Sequence, residues 1–124
     1  MKYVVAILTA MIFTTPALAQ HKHGAKGPAG GPMEDVAGVH AELVADGTTV
    51  KFNILDEDSK PVATKQYSGS VLIVNGAERE TVALSPSGDN ALQGQAKKAI
   101  PAKAAITLML KTDAGKSGQA RFTR

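Results

Sequence analysis

The chain has no cysteine and no tryptophan, and aromatic residues make up only 4% of its 124 residues. Without cysteine the chain forms no disulfides, offers no thiolate to a metal and has no cysteine nucleophile. A lipid anchor on a cysteine after the N-terminal apolar run is excluded for the same reason. No basic stripe or ladder of aromatic residues is present, which argues against nucleic acid as a partner.

Motifs of the common enzyme classes are missing as well. The sequence contains no nucleophile elbow, no P-loop, no dinucleotide fingerprint and no H-E-x-x-H motif. A serine nucleophile would have to find its base among three histidines, two of which lie in a Gly- and Pro-rich stretch. Catalytic groups need a rigid scaffold, which such a stretch does not supply. We therefore predict that the protein is not an enzyme.

The N-terminal residues have the pattern of a secretory signal peptide. Lys2 precedes an apolar run over residues 3–13, and Pro16 and the A-x-A triplet 17–19 follow. The run is too short for a membrane span, which needs ~20 apolar residues. We predict a signal peptide over residues 1–19 that is cleaved after Ala19. The mature chain would then begin at Gln20, reside in the periplasm and have no membrane span.

Two regions follow the signal peptide. Residues 20–37 are rich in Gly, Pro, Lys and His and show no apolar periodicity, which predicts a flexible tail that adds little stability. From residue 38 to residue 124 the sequence changes to short, alternating apolar runs separated by turn residues. This length suits one folded domain.

The periodicity of residues 38–124 predicts β-strands, because no segment keeps a helical period for three turns. The pairs Asp46-Gly47 and Asn75-Gly76 are strong hairpin signals. We predict an all-β, antiparallel, immunoglobulin-like β-sandwich of about seven strands. These strands fall at about 38–45, 48–55, 69–74, 78–84, 91–97, 105–111 and 118–123.

The alternation also predicts which side chains face the core. Two strands place apolar residues at every second position, and strand 69–74 is apolar on both faces, which favours a central position for it. The predicted core residues are Val50, Phe52, Ile54, Ile106, Leu108 and Leu110.

The three histidines are the most informative functional feature. His21 and His23 flank Lys22, and in an extended chain their rings point to the same side. His40 lies in the first predicted strand, and Glu42 shares its face. Met33 adds a thioether, and two acidic residues follow it directly. Imidazole, thioether and carboxylate groups are ligands for Cu and Zn, so we predict a transition-metal site at His21, His23, Met33, His40 and Glu42.

Each of these residues also has an ordinary structural interpretation. His21 and His23 are equally compatible with a solvated terminus, and a strand histidine such as His40 is often a rim residue. Met33 is equally compatible with a residue that caps the core where the chain enters the domain. Two ligands from the N-terminal stretch are too few for a tight site, so convergence with His40 decides between these alternatives.

Two segments carry a family resemblance. The first is GGPMEDVAGVHAELV (residues 30–44), in which a Gly-Gly pair and an acidic spacer precede Gly-x-His-x-Glu-Leu. The second is DEDSKPV (residues 56–62). They resemble small periplasmic proteins associated with heavy-metal efflux, and segments of the periplasmic adaptor subunits of copper, zinc and cobalt exporters. The resemblance covers most of the mature chain and implies a periplasmic β-sandwich that buffers or delivers a metal ion.

Three functions remain open on the sequence. The first is a periplasmic transition-metal-binding protein that is an accessory to a heavy-metal efflux system, with a metal ion and an efflux component as partners. The second is a non-catalytic secreted β-sandwich that docks a partner protein, with incidental histidines. The third is a secreted inhibitor or stress protein of the same fold. Convergence of Met33, His40 and Glu42 with the tail would favour the first.

Overall fold

The computed structural model describes residues 25–124; the predicted signal peptide, His21 and His23 lie outside the described residues. The described part is all-β, and its strands are antiparallel. Residues 25–124 include no helix with the length and apolar character needed to cross a membrane. The strands are β1 (Met33–Val36), β2 (Val39–Asp46), β3 (Thr49–Leu55), β4 (Ser68–Asn75), β5 (Glu78–Ser87), β6 (Ala91–Gln95), β7 (Ala105–Lys111) and β8 (Ser117–Thr123).

The eight strands form one sheet in the order β1-β2-β3-β6-β5-β4-β7-β8. The two ends of this order, β1 and β8, also lie against each other, so the sheet coils into a nearly closed barrel. The connections from β3 to β4 and from β6 to β7 join strands that are not neighbours in the sheet. Strands β3 to β6 and strands β4 to β7 therefore form two overlapping Greek keys.

The first difference between this architecture and the predicted immunoglobulin-like sandwich is the length of β5. Residues 78–84 of β5 pair with β4, whereas Ser85, Pro86 and Ser87 pair with β6. The sequence predicted that one strand would end at about residue 84 and the next begin at about residue 91, so no pairing was expected at these three residues. Gly94 of β6 allows the close approach at this bend, since a Cβ there would lie 2.6 Å from the Ala83 carbonyl oxygen. The longer β5 therefore joins the two halves into one sheet.

The second difference is the strand β1, which lies within the predicted tail. Its residues pair with β2 through a tight turn at Ala37 and Gly38, both of which have positive φ, 50° and 83°. No hairpin was predicted here, because alanine is unfavourable at positive φ and Asn-Gly or Asp-Gly is the usual pair. The barrel therefore has eight strands rather than seven and begins before residue 38.

The remaining expectations about the core are confirmed. All six predicted core residues are buried, with exposures between 0% and 2%. Strand β4 lies between β5 and β7, as its two apolar faces predicted. Its inward residues Val71 and Ile73 are buried, and Leu72 and Val74 are half-buried on the outer face. Both predicted hairpin turns also form, with Gly47 and Gly76 at positive φ.

Candidate functional site

The predicted site residues of the described chain lie on the outer face of β1 and β2. His40 is paired in register with Asp35 of β1, and the His40 Nδ1 atom contacts the Asp35 carboxylate. The His40 side chain is 24% exposed, whereas that of Asp35 is 84% exposed. In the neutral ring, Nδ1–H donates to Asp35 and the lone pair lies on Nε2. This carboxylate–histidine pairing is typical of histidines that bind metals, because it fixes the ring and its tautomer.

Glu42 lies two residues along β2, on the same outer face as His40, but it is buried, with an exposure of only 1%. Its Oε2 atom accepts hydrogen bonds from the backbone N–H groups of Ala29 (2.8 Å) and Gly31 (3.0 Å). Its Oε1 atom accepts one from the Asn53 side-chain amide at 3.3 Å. Both carboxylate oxygens are therefore engaged, and a metal ion would have to compete with these donors.

The cover over Glu42 is a turn formed by residues 27–31. The Gly27 N–H donates to the Gly31 carbonyl at 2.8 Å, and the Gly30 N–H donates to the Gly27 carbonyl at 2.9 Å. A Cβ on Gly27 would overlap the Glu42 carboxyl group, and one on Gly31 would overlap the Leu43 carbonyl. The Gly-rich composition that predicted a flexible tail thus forms a close-fitting turn over the strand at these residues.

Met33 is opposite Glu42 in the register of β1 and β2. Cross-strand partners share a side of the sheet, so Met33 and Glu42 form one outward row and Asp35 and His40 form the next. The structure thus brings Met33, His40 and Glu42 to one face of the sheet, where Glu42 is covered by the 27–31 turn.

The N-terminal segment joins the barrel beside this surface. The Met33 N–H donates to the Ala25 carbonyl at 2.9 Å, and Lys26 pairs with Pro32. Asp35 is two residues from Met33, or about 7 Å along the strand. The described chain therefore begins at the edge of β1, beside Met33.

Within residues 25–124, no group of three or more His, Cys, Asp or Glu side chains is placed to hold a metal ion. His40 supplies one imidazole nitrogen and Asp35 one exposed carboxylate, which is fewer than the four ligands that zinc takes in structural sites. A complete site at His40 would need donors from the segment before Ala25, where His21 and His23 lie.

Sequence reasoning found these candidate residues but missed the contacts of Glu42. Its partners are backbone N–H groups of the 27–31 turn and the side chain of Asn53, none of which has a recognisable motif. Glu42 lies between Ala41 and Leu43, both of which face the core. A glutamate on the outer face of such a strand gave no indication that a turn would cover it.

Comparisons with known proteins found no relative of this chain. No family model, no curated protein and no solved structure matches the chain.

Proposed function

We propose that this protein is a periplasmic transition-metal-binding protein, an accessory that buffers or carries Cu or Zn for a heavy-metal efflux system. In this proposal His40 is the ligand fixed by the fold, and His23 and His21 complete the coordination. Asp35 orients His40, and Glu42 lies beneath the adjoining turn.

The observation that carries the proposal is the Asp35–His40 contact beside the point where the N-terminal segment joins the barrel. The contact occupies Nδ1, so Nε2 is the ring nitrogen that a metal would bind. The exported location rests on residues 1–19, and the efflux association rests on the resemblance of residues 30–44 and 56–62.

Residues 25–40 are already ordered in the folded protein, and this affects the metal affinity that we expect. As a free loop, the 16 residues between His23 and His40 would lose entropy when the two rings meet on one ion. The turn over Glu42, strand β1 and the turn at Ala37 and Gly38 already fix most of this loop in the folded protein. Little further ordering is required, so we expect tighter binding than a flexible tail would give.

Calorimetric titration of the chain from Gln20 to Arg124 with Cu(II) and with Zn(II) tests the proposal. We expect binding of about one metal ion per chain. His40→Ala should weaken binding more than His21→Ala, because the strand residue is held in place before the metal arrives. A variant with all three histidines replaced by alanine should not bind. Binding of that variant with wild-type affinity would place the site elsewhere.

Asp35 offers a second test with a matched control. Asp35→Asn should lower metal affinity about 10–100-fold, as expected for a residue that orients a ligand. Glu34→Gln removes the neighbouring carboxylate, which is paired with Ala41 and so belongs to the opposite face of β1. The Glu34→Gln variant should bind as wild type does; equal losses in the two variants would indicate a general charge effect.

The alternative is a non-catalytic interaction module. It is favoured by the outer face of β4 and β7, where Leu72 and Val74 are half-buried. Met109, at 37% exposure, is the one exposed large hydrophobic residue of the described chain. A wild-type dissociation constant weaker than ~100 μM for both metals at neutral pH would select this alternative.

A further inference from the structure

Strands β5 and β6 separate from each other over most of the length of β5. Residues 85–87 of β5 pair with β6, whereas residues 78–84 pair with β4. Gly94 lies where the two strands diverge, since a Cβ there would be 2.6 Å from the Ala83 carbonyl oxygen and 2.6 Å from the Val82 side chain. The barrel wall is therefore split from this point to the β4–β5 hairpin.

The split forms a cleft of about 530 Å³, within the ~300–1,000 Å³ that is usual for binding pockets. Its floor includes the apolar side chains of Ile73, Ala96 and Ile100, and its rim carries charged side chains from β5 and from the chain that follows β6. An apolar floor with a few polar groups around it is typical of a binding site.

The edge of β5 along this cleft has backbone groups without a strand partner. Asn75 and Glu78 close the two-residue turn of the β4–β5 hairpin, so their backbone groups face each other. Backbone groups alternate between the two edges of a strand, which places the N–H and C=O groups of Arg79 and Thr81 on the cleft side. In the described part of the chain, no strand pairs with β5 on this side before Ser85. A strand edge of this kind is a template for an added strand.

The charged rim of the cleft is positive. Glu78 is paired with the Lys98 ammonium group at 3.5 Å, and Glu80 accepts a hydrogen bond from the Lys97 backbone N–H at 2.7 Å. Both carboxylates on the rim are therefore engaged. The Arg79 guanidinium and the Lys97 ammonium group belong to neither of the two ion pairs found among the described residues. They give the rim an attraction for negative charge.

We propose that this cleft between β5 and β6 is a docking site for an extended acidic segment of a partner protein, which adds as a strand to the edge of β5. The backbone groups of Arg79 and Thr81 bind its main chain, and Arg79 and Lys97 attract its acidic side chains. Residues 79–83 extend over roughly 13 Å at ~3.3 Å per residue, so they can pair with about five residues of the segment. A second copy of this chain would bring the same positive rim, which favours an acidic partner instead. This inference does not depend on metal binding.

Selection from a phage-displayed library of random linear peptides tests the inference on the chain from Gln20 to Arg124. We expect enrichment of peptides in which acidic residues alternate with β-branched or aromatic residues. A selected peptide should slow hydrogen exchange at the Thr81 amide and leave that of Val82 unchanged, because the Val82 amide already faces β4. Enrichment of no peptide, or a bound peptide that leaves Thr81 exchange unchanged, would overturn the proposal.

Two variants at one position separate backbone pairing from side-chain contacts. Thr81→Pro removes the amide that the added strand would use but keeps the pairing with β4, since that amide faces away from β4. It should weaken binding of the selected peptide by about 10-fold or more. Thr81→Val keeps the amide and should bind the peptide as wild type does. If Thr81→Pro does not fold, methylation of alternate amides in the peptide gives the same test, and one of the two alternating sets should abolish binding.

Charge reversal tests the rim. Lys97→Glu should weaken peptide binding by about 3-fold, and less at high salt, because exposed ion pairs are weak and screened. Lys111→Glu is the matched control, since Lys111 is exposed on β7 and does not line the cleft. Equal losses in the two variants, or peptides that bind Thr81→Pro as tightly as wild type, would overturn the assignment to this cleft. Self-association that Thr81→Pro abolishes, with no peptide selected, would overturn it in favour of a second copy of this chain.

Discussion

The rings of Phe52 and Phe122 meet inside the barrel with centroids 5.2 Å apart and an interplanar angle of 57°. They belong to β3 and β8, which are not neighbours in the sheet, so the contact crosses the core. Tilted aromatic pairs at this separation are stabilising beyond the area they bury. The pair therefore links the two sides of the barrel on either flank of β1 and β2, which carry the candidate site.

Phe52→Ala should lower the free energy of unfolding by about 3–5 kcal/mol, as is usual for a buried aromatic side chain. Urea unfolding of Phe52→Ala, Phe122→Ala and the double variant should give a coupling of about 0.5–1.5 kcal/mol between the rings. An unchanged urea midpoint for Phe52→Ala would contradict its position in the core.

The turn between β1 and β2 contains an alanine at positive φ, which should be an easily improved position. Ala37→Gly should raise the free energy of unfolding by about 0.5 kcal/mol, because relief of the left-handed strain exceeds the added chain entropy. The matched change Gly38→Ala should be destabilising by more than about 1 kcal/mol, since Gly38 has a φ of 83°. Urea midpoints that move in the same direction for both variants would contradict this account.

Two truncations should separate the N-terminal segment from the docked turn. Deletion of residues 20–24 should leave the free energy of unfolding unchanged, whereas deletion of residues 20–32 should lower it by about 2 kcal/mol. The reason is that Glu42 loses two hydrogen-bond donors while it remains in the fold. Glu42→Leu in the shorter chain should recover much of the loss, because it removes the unsatisfied carboxylate. Equal free energies of unfolding for the two truncated chains would show that the 27–31 turn does not stabilise the fold.

The buried residue Tyr67 predicts that the stability of the folded protein decreases at alkaline pH. Burial, and to a lesser degree the negative charge of Asp113, raises the pKa of Tyr67 above its usual 10.0. The folded state thus disfavours the ionised phenol, and the stability from this group is complete below pH 10.0 and is lost as the pH rises through the raised pKa. In the chain from Gln20, Tyr67 is the single tyrosine, so tyrosinate absorbance follows it directly. Asp113→Asn should lower the pKa of Tyr67 but leave it above the usual value, because burial is the larger cause.

The strands that could be predicted from the sequence are those determined by residues close to one another in the chain. Asp46-Gly47 and Asn75-Gly76 fix their hairpins by backbone chemistry, and the alternation at Val50, Phe52 and Ile54 fixes which side faces the core. Strand β1 and the extension of β5 depend on other parts of the chain. Residues 33–36 become a strand because β2 offers them an edge, and Ser85 to Ser87 do so because β6 lies alongside.

The candidate site also has one part that the sequence predicts and another that depends on packing. The spacing of His40 and Glu42 was enough to place both on one face, since strand geometry is periodic. The difference between them was beyond the sequence: His40 remains partly exposed and contacts Asp35, whereas Glu42 is covered by a turn from the N-terminal side. Burial of Glu42 depends on how residues 27–31 pack, which no residue pattern within β2 encodes.

The meeting of β1 with β8 has a consequence for folding kinetics. The β2–β3, β4–β5 and β7–β8 hairpins join neighbours in sequence, but closure of the barrel brings together the first and last strands of the described chain. Long-range contacts form late because the entropy of the intervening chain opposes them, and Greek-key proteins fold on the order of milliseconds to seconds. In pulse-labelled hydrogen exchange, amides that pair β3 with β6 and β4 with β7 should gain protection after those of the hairpins.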